Sequence, residues 1–192
     1  MTRLSKILIS ILSKKLNFIE PIYDMGSRQQ QGQEFFADVR PFFPNKEFIG
    51  VDYIDGLGVD KVMDIENLDL LDKSVGSIIC MDVFEHTKKF WKATDEFKRV
   101  LKNNGLIFLL TCGAYPIHAF PNDYWRFTPQ GIESLFEDFE NKIIISGGKK
   151  TLPKVTGVIA FNAEYKIDKS LKDELIYICE EWGKEWKAGL ED

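Results

Sequence analysis

The chain is poor in the residues that would announce several kinds of chemistry. Three cysteines, Cys80, Cys112 and Cys179, occur in 192 residues, and two histidines, His86 and His118. Odd in number, far apart and set in apolar stretches, the cysteines suggest neither a disulfide framework nor a zinc site. Two histidines exclude a His-rich centre, so no metal is expected. Excess positive charge is also missing: 25 basic residues against 30 acidic ones leave a net charge of -5. Nucleic acid is therefore not expected as a partner, a local basic patch aside. No repeat or low-complexity segment is visible.

Long apolar runs are absent as well. The N-terminal segment "MTRLSKILISILSKKLN" places Leu4, Ile7, Leu8, Ile11, Leu12 and Leu16 at helical spacing with four basic and no acidic residues. Its densest part, Ile7 to Leu12, is broken by Ser10 and falls far below the roughly 20 residues needed to span a bilayer. No small-residue cleavage site follows it. Residues 1–20 read as an amphipathic helix, either lying on an anionic membrane surface or docked over a sheet edge or a ligand cleft. The docked reading is preferred, because one basic helix is weak evidence for a membrane. With reduced cysteines and no spanning segment, a cytoplasmic protein is expected.

What remains is a globular composition, 44% apolar with 15 Phe and 4 Trp, long enough to bury about 70% of its unfolded surface. Ile22 to Met25 reads as a strand, Gln33 to Val39 as a helix stopped by Pro41, and "EFIGVD" as a strand ending in Asp52. A short strand near Lys61 to Met63 and a buried one in "SVGSIICMDV", ending at Asp82, follow. A helix is predicted from Lys88 to Lys102, stopped by "NNG", and then the continuous apolar strand "LIFLLT". After an aromatic loop, Thr128 caps a helix with Pro129 in its first turn. "KIIIS" and "VTGVIAFN", joined by a basic connection from Gly147 to Lys154, suit an antiparallel hairpin. A last helix starts at Leu171, capped by Ser170 with Asp173 three residues on, and carries the stripe Leu171, Leu175, Ile178, Trp182 and Trp186. Strands alternating with helices point to a doubly wound α/β sheet, mostly parallel, with helices on both faces. The expected divisions are the N-terminal helix (1–20), a Rossmann-like domain (21–165) and a C-terminal helix packed on it (166–192).

The shortage that bears most on function is glycine at one turn. In "IYDMGSRQQQGQ" (residues 22–33) a strand runs into Gly26, but Arg28 and Gln30 stand where a dinucleotide-binding turn needs further glycines. A pyrophosphate requires bare amides and close backbone approach, so a nicotinamide cofactor is disfavoured. Asp52, at the end of the second strand, suits a pair of ribose hydroxyls. A ligand with a ribose, no phosphate and a charged amino acid at its other end would fit better.

Taken in order, Asp24-x-Gly26, Asp52, Asp64-Ile65 and "CMDVFEH" (Cys80 to His86) resemble a class I S-adenosylmethionine-dependent methyltransferase. The subgroup with the greatest likeness acts on small molecules and glycans, and the likeness runs from about Ile22 to Gly148. It implies a seven-stranded sheet with a reversed last strand and S-adenosylmethionine as cofactor. Gly26 would form the turn under the methionine part, and Asp24 would brace it or reach the ammonium. Asp52 would hold the ribose, Asp64 and Ile65 the adenine, and Asp82 would line the methionine end. Ser27 and Tyr53 complete the candidate cofactor set. Arg28 stands where the family has glycine and is expected to pair with the methionine carboxylate.

Candidate bases for an oxygen or nitrogen acceptor are His86 and His118, with a structural cap as the competing role for His86. The loop "YPIHAFPNDYWRFTP" (Tyr115 to Pro129) contains a DYWRFT stretch similar to one in some methyltransferases encoded near polysaccharide biosynthesis. Tyr115, Asp123 and Arg126 are expected toward substrate, Trp125 and Phe127 toward packing, and Arg126 is open between a substrate anion and Glu85. The function expected is methyl transfer to a small-molecule or sugar-like acceptor. The alternative is an inactive Rossmann-like binding or assembly module, and a nicotinamide-dependent reductase ranks third.

Overall fold

A computed structural model of the chain describes residues 2–29, 32, 37–119, 121–162, 165 and 167–185. Helix α1 (Arg3–Lys15) opens on a reciprocal cap: the Ser5 amide donates to Thr2 Oγ1 at 3.1 Å and the Thr2 amide to Ser5 Oγ at 3.3 Å. Strands β1 (Ile22–Met25), β2 (Phe48–Asp52), β3 (Lys61–Val62) and β4 (Val75–Met81) follow, then helix α2 (Phe90–Val100) and strand β5 (Leu101–Cys112). Helix α3 (Pro129–Leu135), the hairpin β6 (Asn141–Lys149) and β7 (Leu152–Phe161), and helix α4 (Lys169–Glu185) complete the chain. The seven strands lie in the order β3-β2-β1-β4-β5-β7-β6, parallel from β3 to β5 and antiparallel where β7 meets β5 and β6. Winding reverses between β1 and β4, which opens a crevice above their carboxyl ends.

Successive strand residues feed opposite faces of the sheet, as the two-residue period requires. In β5, Leu106, Phe108 and Leu110 join one core with α1 and α4, while Ile107 and Leu109 join the other with α2 and α3. Leu4, Leu8, Ile9 and Leu12 of α1 are fully buried there, each contributing about 2 kcal/mol. The apolar stripe of α1 is thus spent on the sheet rather than offered to a membrane. Among the described residues no helix is long and apolar enough to cross one.

Several boundaries differ from the sequence expectation. Helix α2 ends at Val100, and Leu101 already pairs with Val75. "NNG" therefore stops no helix; it lies in a bulge of β5, since the next pair is Ser77 with Leu106. The hairpin is longer than expected, with Gly147 to Lys149 and Leu152 to Lys154 inside the ladder rather than in a connection. Asp168 rather than Ser170 caps α4, accepting from the Ser170 amide at 2.9 Å. Leu171, Leu175 and Cys179 form the buried face of α4, with Ile178 and Trp182 partly covered. Trp186 and the first four residues of the helix expected over Gln33 to Val39 lie outside the described residues.

Candidate active site

A cleft of about 710 Å³ opens at the switch point, lined by the chain immediately after β1, β2, β3 and β4 and by part of the loop after β5. Gly26 turns the chain away from β1 with φ +83°, a conformation suited to glycine, and a Cβ there would lie 2.2 Å from Val83 Cγ2. The Gly26 and Ser27 amides donate to the Val51 carbonyl at 2.7 and 3.0 Å, which ties the turn to β2. Gly50 is equally constrained: a Cβ would sit 2.0 Å from the Gly58 carbonyl and 2.6 Å from Ser27 Oγ.

Four aspartates enter this cleft: Asp24, Asp52, Asp64 and Asp82. Asp24 is buried, and its pKa is raised from 3.8 to about 7 by desolvation, which the charge of Arg40 offsets only in part. Asp52 is held by backbone amides, from Arg28 to Oδ2 at 3.3 Å and from Ile54 to Oδ1 at 3.1 Å, leaving lone pairs on both oxygens. Asp64 Oδ1 accepts from the Glu66 amide at 2.8 Å, and Ile65 beside it is buried. Asp82 adopts φ +58°, unusual for a side-chain-bearing residue, at the end of β4. Its Oδ2 accepts from Ser5 Oγ of α1 at 3.3 Å, and burial raises its pKa. So α1 reaches the rim of the cleft. Ser27 Oγ is buried in the wall and has no hydrogen-bond partner among the described residues.

Arg28 is exposed, and its Nε, Cγ and Cδ lie 3.0–3.3 Å from where a Gly56 Cβ would stand. Tyr53 is 63% exposed and also borders the cleft. On the other wall His86 ends a 3-10 turn (Phe84–His86), with Nδ1 2.7 Å from the Asn122 carbonyl. Its ring meets that of His118 edge-on at 4.8 Å. His118 Nδ1 lies 3.2 Å from the Pro116 carbonyl and 3.3 Å from Asp123 Oδ2.

The loop 115–127 spends its charges internally. Arg126 pairs with Asp123 through NH1–Oδ1 at 2.5 Å and NH2–Oδ2 at 2.7 Å, and donates to the carbonyls of Tyr115, Pro116 and Trp125. All five guanidinium donors are thereby used. Asp123 also accepts from the His118 amide at 2.7 Å, and its pKa is held far below the usual carboxylate range, chiefly by Arg126. Tyr115, Asp123 and Arg126, expected toward substrate, are not among the residues lining the cleft, and the carboxylate that Arg126 pairs with is Asp123 rather than Glu85. Phe127 is buried against Phe84 and Phe90 as expected, whereas Trp125 is half-exposed, stacked edge-on with Phe90 and Trp91. Tyr124 lines the cleft, and so do Asn122, Lys88 and Thr87, which were not anticipated. Tyr124 was legible as one of the aromatic residues concentrated in that loop; nothing in the sequence marked the other three.

Glu85 is completely buried. It accepts from Thr111 Oγ1 at 2.7 Å and from Cys112 Sγ at 3.1 Å, and its carbonyl takes the amides of Tyr124 and Trp125 at 2.7 and 3.2 Å. Burial, reinforced by Glu85, pushes the Cys112 thiol far up.

Residues 34–109, less than half of the chain, match the family model described as a methyltransferase domain. Over those residues the chain is similar to that family. A search of the curated proteins finds no match. Among solved structures, a SAM-dependent methyltransferase from Archaeoglobus fulgidus is 13% identical over 82% of this chain and 94% of that one, with a TM-score of 0.59. Another, described as a possible histamine N-methyltransferase from Thermotoga maritima, is 15% identical over 83% and 91%, with a TM-score of 0.58. The 1,6-didemethyltoxoflavin-N1-methyltransferase of Burkholderia thailandensis, solved with its substrate and S-adenosylhomocysteine, is 10% identical over 83% and 78%, with a TM-score of 0.61. These likenesses establish the methyltransferase fold: a seven-stranded sheet whose β7 runs antiparallel.

The chemistry of the cleft fits S-adenosylmethionine, the cofactor in the descriptions of such structures. Four carboxylates suit a ligand carrying an ammonium, a sulfonium and a ribose diol, and would repel a dinucleotide's two phosphates. The Ser27 hydroxyl, without a partner among the described residues, and the largely uncompensated Asp24 carboxyl are polar groups that a ligand would satisfy.

Proposed function

We propose that the protein transfers a methyl group to an oxygen or nitrogen of a small-molecule or sugar-like acceptor, with the acceptor entering between His86 and Tyr124. The observation that carries this reading is the convergence of Asp24, Asp52, Asp64 and Asp82 on one cleft whose opposite wall holds His86, His118 and Tyr124. A volume of about 710 Å³ suits a cofactor together with a small acceptor.

Asp52 would hold the ribose hydroxyls, its orientation already fixed by the Arg28 and Ile54 amides. Asp24 and Ser27 would take the methionine ammonium, Asp64 and Ile65 would flank the adenine, and Tyr53 would cover it. Asp82 would line the sulfonium end, and Arg28 would swing to the methionine carboxylate. When bound, S-adenosylmethionine supplies an electrophilic methyl that a nucleophile displaces in line. His86 Nδ1 donates to the Asn122 carbonyl, so Nε2 keeps its lone pair for the acceptor's proton. His118 would hold the His86 ring through their edge-on contact. Asn122 and Tyr124 present polar groups to the acceptor. A ternary assay with candidate acceptors tests this reading: His86→Gln should lower kcat by about a hundredfold with little change in KM. Unchanged kcat would remove His86 from the chemistry.

A further inference from the structure

We propose that Glu85, Cys112 and His118 form a site for a zinc-like divalent cation that pins the loop 115–127 to the ends of β4 and β5. One ligand atom from each residue lies within 4.8 Å of the other two. The set combines a carboxylate, an imidazole and a thiol that would release its proton to solvent on binding the metal, a mixture suited to zinc and poorly suited to magnesium or calcium. Tetrahedral zinc holds such atoms about 3.5 Å apart, so modest side-chain adjustments close the site.

Two further observations point the same way. Glu85 is completely buried, yet its carboxylate is met by a hydroxyl and a thiol, and no ion pair reaches it among the described residues. The nearby Arg126 guanidinium gives its hydrogen bonds to Asp123 and backbone carbonyls, so the buried carboxylate is only partly compensated, and a metal would supply further charge. The outer partners are also in place. His118 turns Nδ1 to the Pro116 carbonyl and to Asp123, which leaves Nε2 with a lone pair available to a metal, and Asp123 is itself clamped by Arg126. Thr111 orients the Glu85 carboxylate in the same manner. Three protein ligands leave a fourth position for water or a further donor.

The ion would tie His118, in the loop, to Glu85 after β4 and Cys112 at the end of β5, behind the cleft wall that holds His86. This goes beyond the acceptor reading and does not depend on it.

The test uses the full chain, stripped with a chelator and titrated with Co²⁺ while thiolate-to-cobalt charge-transfer absorption is followed. One equivalent should bind with such a band, and added Zn²⁺ should abolish it. Cys112→Ser should lose the band, Cys179→Ser should keep it, and His118→Gln should weaken binding by about tenfold or more. Near-ultraviolet circular dichroism checks that each variant is folded. No band in the folded wild-type protein, or a band that survives in Cys112→Ser, would overturn the proposal.

Discussion

On the β1–β3 side of the cleft, polar groups are left with capacity to spare. Asp24 is buried with only partial compensation, Ser27 Oγ has no partner among the described residues, and Asp52 is fixed by two amides with lone pairs remaining. In the loop after β5 the charges are consumed within the protein: Arg126 uses every donor and Asp123 accepts from both Arg126 and His118. The difference separates binding from positioning. Open capacity marks where a ligand belongs; a saturated network marks a scaffold that holds His86 and His118 in place.

The saturated side should break hardest. Arg126→Met leaves the nearly inaccessible Asp123 carboxylate without its partner and should cost about 3 kcal/mol of stability, seen as a lower denaturant midpoint. On the open side, Gly26→Ala should cost about 1–3 kcal/mol through its positive φ and the contact with Val83, and should abolish cofactor binding. Asp52→Asn should leave stability almost unchanged while weakening S-adenosylmethionine affinity by about tenfold or more, measured calorimetrically.

Titration of Asp24 sharpens the contrast. Because burial raises its pKa to about 7, the carboxyl is largely protonated below that value in the ligand-free protein. Affinity for the cationic cofactor should therefore rise between about pH 6 and about pH 8, and Asp24→Asn should flatten the profile. Stability moves oppositely: the contribution of Asp24 is fully present below its unfolded pKa near 3.8 and is lost as pH rises through 7. The smallest expected effect belongs to Arg28→Ala, a loss of about threefold in affinity, since the side chain is exposed and must move to reach a ligand.

Periodic segments were legible from the sequence. "SVGSIICMDV" and "LIFLLT" are buried strands because both faces of the sheet are covered, and the acids that the sequence places at the ends of successive strands line one cleft. "NNG" misled because its turn chemistry is satisfied by a bulge: Leu101 had already resumed pairing. The partner of Arg126 was missed because Asp123, three residues away in an irregular loop, has no periodicity to betray that the pair closes on itself. Glu85, Cys112 and His118 come from three separate segments, so no spacing could announce them; only the ends of β4 and β5 and the fold of the loop bring them together.

The central claim is that the cleft with four aspartates binds S-adenosylmethionine. Calorimetric titration of the full chain with this cofactor, alongside Asp52→Asn and with NADH as the control, tests it most directly. Micromolar binding to the wild-type protein, weakened by the substitution, with no binding of NADH, is the predicted result. A folded protein that binds NADH, or whose affinity for S-adenosylmethionine is the same with and without Asp52, would contradict it.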